Sequence, residues 1–219
     1  MKHSLFRYFG EYEWAEAFLK GSIFLNSLSY FHGIEDGNAR GDELEGVLQH
    51  TPSNGLEINN LTTGTKHLLT GWSFRSRVPA NEVFVLCMSR SRTEQHWKEF
   101  NAVAYVEITD KKRFLKALQD AATAHDLNSK AAAVTYTSLD EPPLHNWALP
   151  EQVCFRKRKD NYGWQDEYRF AAAPPEFFSV ERVQLELSSD PVKHNDTAFG
   201  SLTLEIGSVA DFCRLHHKP

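Results

Sequence analysis

Trp164-Gln165-Asp166-Glu167-Tyr168-Arg169-Phe170 is the stretch on which the reading of this chain turns. Its aromatic content suits a pleated, half-buried strand. Side chains alternate across a strand, so Gln165, Glu167 and Arg169 are expected on one face. Trp164, Asp166, Tyr168 and Phe170 then take the other. A carboxylate and an amide two residues apart on one face can both reach a single bound molecule. The bland competitor is a surface ladder of Gln, Glu and Arg. Just upstream, Arg156, Lys157, Arg158 and Lys159 form an unbroken basic run. Such a run is either a solvated face or the flank of a polyanion site.

Working outward, residues 4–9 read as a strand ending at Gly10, and residues 11–20 as a helix. Trp14, Ala17 and Phe18 share a face of that helix, its charges suit the dipole, and Gly21 stops it. A second strand is expected over 22–27. The polar, glycine-rich stretch 30–46 reads as a functional loop. Further strands are expected over 83–88, 102–108, 132–137, 167–172, 180–187 and 201–206. A short helix should follow Thr93, and Asp110 should cap another whose Phe114, Leu115, Leu118 and Ala122 share a face. An irregular stretch opens at Pro142–Pro143, and a last short helix is expected near Ser208. Short strands with few helices give an α+β fold rather than a doubly wound one.

Composition narrows the function classes. The chain has 219 residues, with 24 Lys+Arg against 29 Asp+Glu, 41% hydrophobic and 24% charged residues. That usage excludes fibrous and disordered classes, and the length allows a real core. Cys87, Cys154 and Cys213 match neither a disulfide framework nor a zinc spacing, which points to a reducing, cytoplasmic setting. No stretch is long and apolar enough for a membrane span, so a soluble protein is expected. Charge is segregated: acidic residues crowd 11–57, whereas Arg75, Arg77, Arg90 and Arg92 face Glu82 alone over 75–92.

Among motifs, no GxGxxG, Walker, HExxH or GxSxG sequence occurs. The loop carboxylates Glu35, Asp36, Asp42 and Glu45 suit oxygen ligation of a divalent cation, or equally capping and turn roles.

Arg7-Tyr8 on the first strand, Ser27-Leu28-Ser29 ending the second and Gln165-Asp166-Glu167 on a late one follow an order that resembles the ADP-ribosyltransferase superfamily. The stretches FRYFG, SLSYF, RGD, VFVLCMS and WQDEYRF, with a late W-x-x-E-x-R signature, resemble a group of bacterial and phage-defence proteins allied to ADP-ribosyltransferase toxins. The resemblance implies one ADP-ribosyltransferase-like domain over residues 1–219, with a split β-sheet core and flanking helices. It implies NAD as co-substrate and no metal. Glu167 matches the catalytic glutamate and Gln165 the residue that positions the acceptor. Arg7 matches the residue holding the NAD ribose or phosphate, with Tyr8 the alternative if the register shifts by one. Ser27 and Ser29 compete for the strand-two position, and Tyr30 or Phe31 would stack on nicotinamide. Arg156, Lys157, Arg158 and Lys159 would then bind the acceptor, a nucleic acid or a protein, and an antitoxin is a further expected partner. Two rivals stand beside this reading. One is a metal-dependent hydrolase or nuclease using Asp36, Asp42 and Glu45; the other is a binding or immunity module that kept the fold without the chemistry.

Overall fold

Gly21 sits in the left-handed region at φ 96°, where its backbone N–H bonds back to the Phe18 carbonyl and ends the first helix. A Cβ there would lie 1.9 Å from the Gly207 carbonyl oxygen, so only glycine fits the approach. The opening strand–helix–strand unit is thereby set: β1 (Leu5–Phe9), α1 (Tyr12–Lys20) and β2 (Ser22–Ser27). The computed structural model describes residues 4–34, 41–142, 146–194 and 199–218.

The rest of the chain follows as α2 (Leu28–His32), β3 (Val47–His50), β4 (Leu56–Asn59), β5 (Lys66–Leu69), β6 (Ser73–Arg77) and β7 (Phe84–Ser89). Next come α3 (Glu94–Glu99), β8 (Ala104–Ile108), α4 (Lys111–Ala124), β9 (Asn128–Ala133) and β10 (Thr135–Thr137). The chain closes with α5 (Pro150–Cys154), β11 (Arg156–Arg158), α6 (Lys159–Tyr162), β12 (Glu167–Ala173), β13 (Gln184–Ser188), β14 (Ser201–Glu205) and β15 (Cys213–His217). The architecture is α+β, with mostly antiparallel sheets and few helices. No helix among the described residues is long and apolar enough to cross a membrane.

The main sheet forks at β7. One edge of β7 pairs with β12 along its length, from Glu167↔Ser89 to Ala172↔Phe84. The other edge is shared: β1 takes one end through Phe6↔Ser89, and β2 takes the other through Asn26↔Val85 and Ser27↔Phe84. Beyond β1 lie β8 and β15, beyond β2 lies β14, and beyond β12 lies β9. In the fork, the Arg7 guanidinium donates from Nη1 to the Cys87 carbonyl at 2.7 Å, where neither arm supplies a ladder partner.

Helices α1 and α4 cover one face of this sheet. Ala15 and Phe18 from α1, and Phe114, Leu118 and Ala122 from α4, pack on Leu5, Leu25, Leu86, Val106 and Phe170. Asp110 caps α4, accepting from the Arg113 N–H at 3.1 Å. The other face packs Val83, Val85 and Ala171 against Trp147, Val153, Phe155 and Phe177. A second sheet orders β13-β6-β3, β4 and β5 form a hairpin, and β10 and β11 pair in parallel.

Several sequence expectations are corrected. Trp14 is 58% exposed, and the buried face of α1 is Ala15 with Phe18 instead. Residues 132–137 divide between β9 and β10, and 180–182 form a 3-10 turn before β13. The helix expected near Ser208 is a turn leading into β15, which covers the edge of β8 from Cys213↔Ile108 to His217↔Ala104. Strand pairing with β8, invisible in local propensity, decides the matter.

Candidate active site

The fork leaves a cleft beside β7 that is open to solvent. Its floor is Val85 and Cys87. Phe6 and Tyr8 of β1 with Phe100 form one wall, and Phe24 and Asn26 of β2 with Tyr30 and Phe31 of α2 form the other. Gln165, Glu167 and Lys157 close one end, and Arg7 reaches the cleft from within the fork.

Register fixes which side chains face it. Glu167 and Phe6 both stand opposite Ser89, so Phe6, Tyr8 and Glu167 share a face. Asn26 stands opposite Val85 on that same face. Arg7 alternates to the other side, with its guanidinium 5.8 Å from the centre of the Phe9 ring. Tyr8 is 6% exposed, and its hydroxyl has no hydrogen-bond partner among the described residues. Burial and the neighbouring Tyr105 push its pKa to about 12, so the hydroxyl stays protonated at neutral pH and can donate a hydrogen bond.

The expected strand 164–170 begins only at Glu167. Gly163–Gln165 is a 3-10 turn, and Asp166 adopts the left-handed region at φ 44°. Three contacts hold the turn. Arg90 donates its backbone N–H to the Asp166 carbonyl at 2.8 Å and its Nε to the Asp166 carboxylate at 2.9 Å. His96, wholly buried, meets the Gln165 carbonyl through Nε2 at 3.2 Å. A carbonyl only accepts, so His96 carries its proton on Nε2, and Nδ1 faces Thr93 Oγ1 at 2.7 Å. Burial pulls the His96 pKa below its ordinary value and keeps the ring neutral. Asp166 therefore points away from the cleft, while Gln165 and Glu167 point in.

Behind Glu167 lies a buried charge cluster. Arg169 Nε donates to Glu167 Oε1 at 2.6 Å, and its terminal nitrogens fork onto Glu45 at 2.5 and 2.8 Å. Lys157 Nζ donates to Gln165 Oε1 at 3.2 Å, and lies 3.5 Å from Glu167 and 3.7 Å from Glu45. Burial alone would raise the Glu167 pKa; Arg169 and Lys157 outweigh it and hold the carboxyl at about 2. Lys157 loses to burial but gains more from Glu167 and Glu45, so its pKa rises above the ordinary lysine value. Cys87 donates its thiol to Glu167, and burial together with that carboxylate pushes it to about 12. Asp42 is raised to about 6 by burial and by Glu45.

The candidate residues are thus placed unevenly. Arg7, Tyr8, Tyr30, Phe31, Gln165 and Glu167 line one cleft. Ser27 and Ser29 do not: both are wholly buried, with their hydroxyls 2.8 Å apart. Asn26 and Phe24 take the strand-two position in the cleft, and the period-2 alternation of β2 was the signal for them. The run 156–159 is not a basic surface. Arg156 and Lys157 are buried, Arg156 donating to Gln152; Arg158 pairs with Asp42 and Glu43; only Lys159 is exposed. Strand β11 turns Lys157 and Arg158 toward the carboxylates of Glu45, Asp42 and Glu43, far away in sequence. Glu45, a candidate metal ligand from sequence, has both its oxygens taken by Arg169. Among the described residues no group of His, Cys, Asp or Glu is arranged to hold a metal ion, and Glu35 and Asp36 lie outside them. Comparison with known proteins gives no match to a family model, to a curated protein or to a solved structure.

Proposed function

We propose that the chain is a NAD-dependent ADP-ribosyltransferase with an ADP-ribosyltransferase-like split sheet, acting as a toxin or defence effector. The observation that carries this reading is the forked sheet, whose arms β1 and β2 converge with the start of β12 on one cleft. The residues fit a dinucleotide with aromatic bases. Phe6, Tyr8 and Phe100 face Phe24, Tyr30 and Phe31 across the cleft, and Arg7, Asn26 and Lys157 supply polar contacts.

Cleaving the nicotinamide–ribose bond develops positive charge on the sugar. An ionised Glu167 at the closed end stabilises that charge, and its low pKa keeps it ionised throughout the physiological range. Gln165, whose backbone is clamped by His96 and whose amide oxygen is held by Lys157, orients the incoming acceptor. The acceptor is a nucleic acid or a protein; the buried state of Arg156 and Lys157 removes the basic run as an argument for a polyanion.

A second reading, a binding module without chemistry, draws on the 3% exposure of Glu167 and its bond to Arg169. Calorimetry with NAD separates the two. The proposed function requires NAD binding that Asn26→Ala weakens by about tenfold or less, one contact among several. Absence of binding at millimolar NAD favours the module.

A further inference from the structure

We propose that Glu45 is a positioning residue of the cleft, occupying Arg169 so that the Glu167 carboxylate stays turned toward bound substrate. This rests on Glu167 being the functional carboxylate of the reading above.

The argument begins with donors. A guanidinium has five N–H groups and no acceptor. Arg169, 1% exposed, directs Nε to Glu167 Oε1 at 2.6 Å and Nη1 to Glu45 Oε1 at 2.5 Å and the Cys154 carbonyl at 2.7 Å. Its Nη2 reaches Glu45 Oε2 at 2.8 Å and Glu167 Oε2 only at 3.4 Å. Every donor is placed, and Glu167 receives one short bond rather than two. Its Oε2 has the longer Arg169 contact and lies 3.5 Å from Lys157, and Cys87 also donates to this carboxylate.

Glu45 is fixed for this role from a distant turn. Its N–H bonds to the Asp42 carbonyl, and the Gly46 carbonyl accepts from Val78. Gly46 has φ 78°, with Ala80 Cβ only 2.9 Å from where its own Cβ would lie, so the turn admits no side chain there. Remove the Glu45 carboxylate, and two Arg169 donors lose their acceptors inside the protein. Glu167 is the carboxylate left within reach, and tightening the 3.4 Å Nη2 contact into a short bidentate fork with Arg169 would draw its Oε2 away from the cleft. Charge points the same way. Around Glu167 stand Arg169 on its own strand, Lys157 from β11, Glu45 from the turn, Cys87 from β7 and Tyr136 from β10, whose hydroxyl accepts the Glu167 N–H. Two carboxylates against two cations leave the group neutral; without Glu45 a positive excess sits where positive charge must develop.

The test compares wild type with Glu45→Gln, and with Glu45→Asp, which keeps the charge but shortens the reach. The through-bond-assigned Arg169 Nε–H signal in side-chain ¹⁵N spectra reports the arrangement without any substrate. Both variants should shift that signal and speed its exchange, Glu45→Gln more, while amides of β7 and β12 keep their protection. NAD turnover should fall about 10–100-fold in kcat for Glu45→Gln, as for other residues that orient a functional group, with KM little changed. An unmoved Arg169 signal in both variants overturns the proposal. So does loss of β12 protection in both, which makes Glu45 a stabilising residue only. Wild type that consumes no NAD defeats the functional reading, and the Arg169 signal still decides what Glu45 holds.

Discussion

Arg7 and Glu167 line one cleft from opposite faces of the same sheet. The arrangement works because β1 and β2 part along the edge of β7, letting the Arg7 guanidinium reach the Cys87 carbonyl through the gap. Tyr8, its neighbour, shares the Glu167 face. The two possible registers of the first strand therefore both deliver a side chain to the cleft.

Tyr8→Phe separates stability from binding. The hydroxyl is buried without a partner among the described residues, so its loss should leave stability unchanged or raise it by about 1 kcal/mol. Affinity for NAD should drop. Urea unfolding and calorimetry on one preparation check both halves; a clear destabilisation means that the hydroxyl serves the fold.

The basic run should split by burial. Lys157→Ala leaves Glu45 and Glu167 short of a buried cation and should cost about 3–5 kcal/mol. Lys159→Ala, on the surface, should stay within about 0.5 kcal/mol. Equal midpoints for the two in urea contradict the buried cluster.

Asp166→Asn removes a part-exposed pair with Arg90, worth about 0–1 kcal/mol, and asparagine accepts the left-handed backbone at 166. Activity and melting temperature should both stay near wild type. A dead Asp166→Asn protein places the chemistry on the wrong carboxylate.

Stability should peak on the acid side of neutrality. Asp42 is raised from 3.8 to about 6, so its ionisation destabilises the fold progressively as pH climbs through that interval. Glu167 is lowered from 4.5 to about 2, so its contribution is complete above 4.5 and fades as pH falls toward 2. The two leave a maximum near pH 4. Urea midpoints across pH 3 to 8 measure it, and Asp42→Asn should flatten the decline between 5 and 7. His96, its pKa lowered by burial, adds stability as pH rises toward 6.5, so the difference between wild type and Asp42→Asn isolates Asp42, and a difference that does not change between 5 and 7 contradicts its placement.

Local signals made much of this legible. Gly21 ends α1, Asp110 caps α4, and β2 spans the residues its pattern indicated. What stayed hidden depends on contacts distant in sequence. Strands β3 to β6 carry weak local patterns and exist through pairing, as β6 does between β3 and β13. The left-handed Asp166 interrupts the expected strand 164–170, in a turn that Arg90 holds through its backbone N–H and its side chain. Lys157 reads as a surface charge until Glu45 and Glu167 are brought around it. Alternation along β2 alone places Phe24 and Asn26 on the cleft face, with Ser27 buried beside them.

Glu167 carries the central claim, and nicotinamide release from labelled NAD tests it most directly. Wild type and Glu167→Gln, each checked for folding, are incubated with NAD and separate pools of RNA, DNA and protein. The account predicts release by wild type and a fall of about 10²–10³ in Glu167→Gln, the loss of a preorganised charge. A folded Glu167→Gln protein that releases nicotinamide at the wild-type rate contradicts it, as does a wild-type protein that releases none with any pool.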